Sequence, residues 1–237
     1  MPRATLDRVL DVVCGWMLPP RCLLCGRGGQ RPCLDLCADC MAGLPAERRP
    51  LQSGPPPVDR CFAPFAYAFP VDRLVQLLKY RGQLAAGRVL GVLLARSVIE
   101  HGLHLGVDCL VPVPLHPGRH AERGYNQSAE VARRTARELG CPSMENAVSR
   151  RRDTRPQVGL GPDERRRNVL DAFAASPALR GRRVVVVDDV LTTGATAGAV
   201  AGAARDAGAI SVDVWCVARA AAQERLDLRF QPWRDRA

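Results

Sequence analysis

Long apolar runs are missing from this chain. No stretch reaches the roughly 18 uninterrupted apolar residues that a membrane span requires, and the amino terminus lacks the unbroken apolar core of a secretory signal. Both absences lead us to expect a cytoplasmic protein. Aromatic residues are scarce, with 3 Trp, 3 Tyr and 5 Phe in 237 residues. Base stacking on rings therefore cannot dominate, and any nucleic-acid contact has to run through phosphate and be strongly salt-dependent. A Gly-Lys-Ser/Thr phosphate loop is also missing, which excludes a Walker-type nucleotide site. Acidic charge is the minority: 34 Lys and Arg face 24 Asp and Glu, a formal net charge of +10 carried almost wholly by arginine. Arginine suits planar, bidentate phosphate contacts, so a polyanionic partner fits.

Cysteine, by contrast, is plentiful, at 10 residues. In a reducing compartment metal ligation and buried thiols explain such a number better than disulfides do. Cys22-Leu-Leu-Cys25 and Cys37-Ala-Asp-Cys40 form two C-x-x-C knuckles. Each offers two thiolates from one tight turn, and together they complete a tetrahedral Zn²⁺ site in a segment too short for a hydrophobic core of its own. A redox dithiol is the competing reading, but it needs a single C-x-x-C in a βαβ setting. Cys14 and Cys33 lie close by and belong to neither knuckle. Ahead of the knuckles, Leu6, Val9, Leu10, Val13 and Met17 share one face of a short docking helix. Behind them, residues 47–59 are proline-rich and cannot form a helix, which places a module boundary there: 1–59 and 60–237.

The second part alternates strand and helix patterns. Cys61 to Phe69 reads as a strand or hairpin, and a helix opens at Asp72 and ends in Lys79-Tyr-Arg-Gly82. That cationic end is either a simple dipole complement with a glycine cap or a ligand contact. A second helix covers Leu84 to Glu100, a strand runs over Asp108 to Pro114, and Asn126 or Ser128 opens a helix that stops at Gly140. The loop from Leu115 to Gln127, rich in Arg and Gly, is a place for a pyrophosphate or a solvated basic loop. Residues 150–167 hold seven arginines in eighteen positions, read as exposed. The last strand spans Ile210 to Val217, with Asp213 outward or near an edge.

The stretch around which the rest is arranged is Arg183 to Gly198, R-V-V-V-V-D-D-V-L-T-T-G-A-T-A-G. Four valines in a row mark a strand buried on both faces, central and parallel in an α/β sheet. Two adjacent aspartates at its end have no structural use unless a cation or hydroxyl groups receive them. The hydroxyl-rich run and helix start that follow favour a phosphate.

These thirteen positions from Val184 resemble the phosphoribosyl pyrophosphate (PRPP) motif of type I phosphoribosyltransferases. The resemblance implies that Asp188 and Asp189 meet the ribose hydroxyls or a metal and act as the catalytic acids. It gives the 5-phosphate to Thr192, Thr193, Gly194, Ala195 and Thr196. A longer resemblance covers roughly residues 18 to 219. Val111-Pro-Val-Pro-Leu-His116, Glu122-Arg-Gly-Tyr-Asn-Gln127, Arg155-Pro-Gln157, Arg166-Arg-Asn168 and Ala172-Phe173 occur in the order seen in the ComF family, as do the knuckles and Lys79-Tyr-Arg-Gly82. It implies an α/β fold, a parallel-sheet, type I phosphoribosyltransferase-like domain joined to a small four-cysteine zinc module. PRPP would be bound with Mg²⁺, with Lys79, His116, Arg123, Arg155 and Arg166 as candidates for the pyrophosphate and for a hood closing over it. It further implies a part in DNA uptake in natural transformation, with single-stranded DNA and DNA-processing proteins as partners. A phosphoribosyltransferase of nucleotide metabolism or salvage and a PRPP-sensing regulator without turnover are the alternative readings.

Overall fold

In the computed structural model the described residues are 20–30, 34–115, 118, 124–150 and 172–220. The expected amino-terminal docking helix, Cys14, Cys33, His116, Arg123, Arg155, Arg166 and the carboxy-terminal tail therefore lie outside them, as does most of the arginine-rich run.

The valine run forms the centre of the molecule. Strand β7 (Arg183–Leu191) is flanked in parallel by β4 (Cys109–Pro112) and β8 (Ser211–Arg219). Strand β8 pairs on its other side with β2 (Arg60–Phe62) and, further along, β3 (Phe65–Ala66), both parallel. Antiparallel β1 (Leu51–Ser53) closes that edge on β2. At the opposite edge β4 bonds through Leu110 to Pro142 and Met144, so a short segment covers its outer side.

Alternation along the strands divides the core into two faces. Val185, Val187, Trp215 and Val217 face helices α2 (Val71–Arg81), α3 (Leu84–Glu100) and α4 (Gln127–Leu139). Val184, Val186, Val214 and Cys216 face α5 (Ala195–Asp206) and a separate pair, β5 (Val148–Arg150) with β6 (Phe173–Ala175). Trp215 is 1% exposed; an aromatic ring of that size buried completely contributes about 3 kcal/mol or more.

Helix α2 stops because Gly82 takes φ 64°, a left-handed cap that a side chain would resist. Helices α3 and α4 approach closely at Gly91, where a Cβ would lie 2.6 Å from the Arg134 Cβ; the Thr135 hydroxyl is shared between the Val131 carbonyl of its own helix at 2.9 Å and, across the gap, the Gly91 carbonyl at 3.1 Å. The knuckle segment, with its short helix α1 (Ala38–Ala42), is not a free appendage. Cys22, Leu34, Leu36 and Cys37 join the core of α2 and α3, and Arg88 of α3 pairs with Asp35.

The proline-rich segment is non-helical as expected, and it also contributes β1 to the sheet, because Leu51–Ser53 supplies backbone donors and acceptors to β2 even though its side chains are exposed. Two expectations change here. Asp213 is buried, not outward: Arg60 folds over it and donates Nε and Nη2 at 3.0 and 2.6 Å. Arg150 belongs to strand β5, its guanidinium 5.6 Å above the Phe173 ring, and is not part of an exposed arginine loop.

Candidate functional site

At the carboxyl end of β7 the chain places two acids in succession, and different elements attend to each. Asp188 accepts from Ser128 Oγ at 2.8 Å and from the Asp189 amide at 2.9 Å. Burial and the neighbouring Asp189 charge push its pKa up to about 6, against the pull of Ser128, Lys79 and the amide. Asp189 is 7% exposed and receives Lys79 Nζ at 2.8 Å on Oδ1. Lys79 is the chain's one lysine. Burial opposes its charge, and the Asp189 and Asp188 carboxylates outweigh burial, so its pKa stands above the ordinary lysine value.

The elements that bring these groups together are fixed around them. Lys79 comes from the last turn of α2, beside the Gly82 cap. Ser128 comes from the first turn of α4, whose cap is Asn126: its Oδ1 accepts from the Ser128 amide at 3.1 Å and its Nδ2 donates to the Val113 carbonyl at 2.9 Å. Tyr125 donates its hydroxyl to the Leu78 carbonyl. The Gly-Tyr-Asn-Gln segment thus ties the end of β4, the end of α2 and the start of α4 into one rim around the acids. The sequence marked this segment, but the bond from Ser128 to Asp188 was missed; its signal was a hydroxyl in the first turn of a helix that follows a parallel strand.

Beyond the acids, Thr192 and Thr193 are exposed and Gly194 caps α5 at φ 72° with no side chain to offer. The Thr193 hydroxyl lies 3.4 Å from the Ala195 amide. Such a helix start favours an anion through its amides and dipole.

The second site lies in the knuckles. Sulfur atoms of Cys22, Cys25, Cys37 and Cys40 all lie within 4.8 Å of one another, and Cys25 and Cys37 stand 3.6 Å apart. Four thiolates at about 2.3 Å from one Zn²⁺ give sulfur separations in this range, so the donor set and spacing fit structural zinc. Burial raises the cost of a charge on Cys22, and the amides of Cys37, Cys25 and Leu24 outweigh it, lowering its pKa to about 6. Cys61, Cys109 and Cys216 are free, buried thiols, and burial pushes each pKa up.

A parallel sheet with paired acids and a hydroxyl loop at its carboxyl end defines a phosphoribosyltransferase-type domain, and the phosphoribosyl transferase domain family matches residues 126–234. The chain is 36% identical over 206 residues to DNA utilization protein YhgH of Escherichia coli K12, covering 84% of this chain and 89% of that protein. It is 35% identical over 161 residues to competence protein F of Haemophilus influenzae, covering 65% and 70%. The chain belongs to the ComF family that these relatives represent. Among solved structures it is similar to the glutamine PRPP amidotransferase of B. subtilis complexed with ADP and GMP. There the identity is 24% and the TM-score 0.39, over 55% of this chain and 25% of that one. A purine phosphoribosyltransferase from Pyrococcus horikoshii gives 20% and 0.34, over 55% and 70%. Among the described residues no helix is long and apolar enough to cross a membrane.

Proposed function

We propose that this chain binds PRPP with Mg²⁺ at the carboxyl end of β7 and serves the utilisation of DNA, contacting single-stranded DNA through its arginines. One observation carries the ligand: two adjacent carboxylates, one held by Ser128 and the other by Lys79, stand directly before a hydroxyl loop and a helix start. Carboxylates suit vicinal hydroxyls, and a loop of N–H and O–H donors suits a phosphate. Mg²⁺ would neutralise the pyrophosphate and give the costly second carboxylate charge a partner. Of the remaining candidates, Lys79 is the cation within reach; His116, Arg123, Arg155 and Arg166 stay in the proposal as pyrophosphate and hood residues. The DNA role is supported by the names that the relatives bear and by the net charge of +10.

A second reading, turnover by a phosphoribosyltransferase, is favoured by Asp188 itself, whose pKa of about 6 lets it accept a proton near neutrality. PRPP with Mg²⁺ is expected to raise the melting temperature, since a ligand binding only the native state stabilises it. No rise would remove PRPP from the account. Pyrophosphate release in a screen of purines, pyrimidines and amines then separates an enzyme from a PRPP-sensing regulator.

A further inference from the structure

The Thr192–Thr196 loop carries no formal positive charge, whereas a phosphate monoester brings nearly two negative ones. Lys79 is already paired with Asp189. A helix end supplies about half a unit charge at most. The loop by itself therefore lacks a counter-charge, and the nearest candidate in the sheet is the last residue of β8.

Arg219 stands opposite Leu191, the last residue of β7, and the Ala220 amide fixes that register by donating to the Leu191 carbonyl at 2.9 Å. Directly opposed residues of neighbouring strands project from the same face. Leu191 belongs to the core on the α5 face, and its Cδ1 would lie 3.5 Å from a Cβ at Gly194, beneath the loop. The alternation shifts by one residue at this end of the two strands, since Val190 and Ala218 pack on the α2–α4 side and Leu191 on the α5 side, so the Arg219 side chain is directed to the face on which the loop and the start of α5 sit. Its charge is felt on that face, where it works against the burial that raises the Cys61 and Cys216 thiols.

Arg219 Nε and Nη2 are both buried and have no hydrogen-bond partner. Among the described residues no other arginine leaves both of these nitrogens buried and unpartnered. They form the side edge of the guanidinium, the edge with which Arg60 grips the Asp213 carboxylate. A buried edge with two unmet donors is costly, and two oxygens of one anion satisfy it with matched geometry.

We infer that Arg219 is the cationic member of the 5-phosphate subsite, its Nε–H and Nη2–H edge receiving two oxygens of the phosphate that the Thr192–Thr196 loop holds from the other side. The inference rests on the PRPP reading above. It adds a residue from a different strand, outside the motif.

Calorimetry with ribose 5-phosphate, with PRPP and Mg²⁺, and with pyrophosphate and Mg²⁺ tests it on the full chain. Arg219→Gln is expected to weaken ribose 5-phosphate and PRPP about tenfold or more, and to leave pyrophosphate, which lacks the 5-phosphate, unchanged. Arg219→Lys keeps the charge without the fork and falls between. The ligand-free Arg219→Gln chain melts at or above the wild-type temperature, because an unmet buried group has been removed. Equal binding of ribose 5-phosphate by wild type and Arg219→Gln overturns the role of Arg219 and leaves the PRPP reading standing. Failure of the wild type to bind either sugar phosphate overturns the PRPP reading and Arg219 with it. Equal losses for pyrophosphate, or a lower melting temperature of Arg219→Gln without ligand, make Arg219 a structural residue and also overturn the inference.

Discussion

Asp188 is held where both burial and a second carboxylate oppose its ionisation, and its pKa of about 6 is the measure of that opposition. In the unfolded chain the same group titrates near 3.8. The folded state thus binds the proton more tightly, and between these values stability falls as the pH rises. Asp188→Asn removes the charge but keeps an acceptor oxygen for Ser128 and for the Asp189 amide. Without ligand this variant is expected to melt a few degrees above the wild type at pH 8. The gap should close as the pH falls below about 4, where both chains carry a neutral side chain. A variant that melts lower at pH 8, or a gap that ignores pH, would show that the ionised acid carries no cost in the ligand-free chain. With PRPP and Mg²⁺ the same substitution should abolish the melting shift, because the ligand supplies what the carboxylate was waiting for.

Among the elements, α4 has the most to do with the site, since Ser128 in its first turn and the Asn126 cap before it are positioned by how closely α4 lies on α3. That closeness depends on Gly91. Gly91→Ala puts a Cβ 2.6 Å from the Arg134 Cβ and 2.9 Å from the Val131 carbonyl. Denaturant unfolding should show a loss of about 1–3 kcal/mol; a neutral result would mean that the helices separate at no cost. Elements with strong local signals were legible in the sequence. The glycine caps at Gly82 and Gly140 and the Asn126 cap gave the bounds of α2 and α4 almost to the residue, and Leu84–Glu100 was read in full. Strands β1, β5 and β6 were not read. Each has three residues, Leu51–Ser53 is exposed throughout, and Phe173 pairs with Arg150 across more than twenty residues of chain. Pairing of that kind leaves no periodicity to find. Within the site, Asp188 and Asp189 stood out because adjacent acids after four valines lack a structural excuse. Asp213 was misplaced because its partner, Arg60, is remote in sequence.

Taken as a whole, the molecule has one core rather than two on the face of α2, α3 and α4, with Cys22, Leu34, Leu36 and Cys37 built into it. Removal of zinc by a chelator is therefore expected to lower the melting temperature of the entire chain in a single transition. A separate early transition of the knuckles, with the main one unmoved, would contradict that. For DNA, the scarcity of aromatic residues and the charge of +10 lead to one expectation. The single-strand affinity should fall steeply with log salt, and Arg151→Ala combined with Arg152→Ala should flatten the slope by roughly one unit or more. A salt-independent affinity would point to base stacking instead.

The two outer borders of the sheet have a consequence for the company the protein keeps. Strand β1 is three residues long, preceded by Pro50 and followed closely by Pro55, Pro56 and Pro57, and the free side of β4 is occupied at Leu110 by residues 142–144. Neither border offers a long row of vacant amides and carbonyls on which a foreign strand could crystallise. The fold is thereby kept from zipping onto a second copy of itself or onto a nascent peptide.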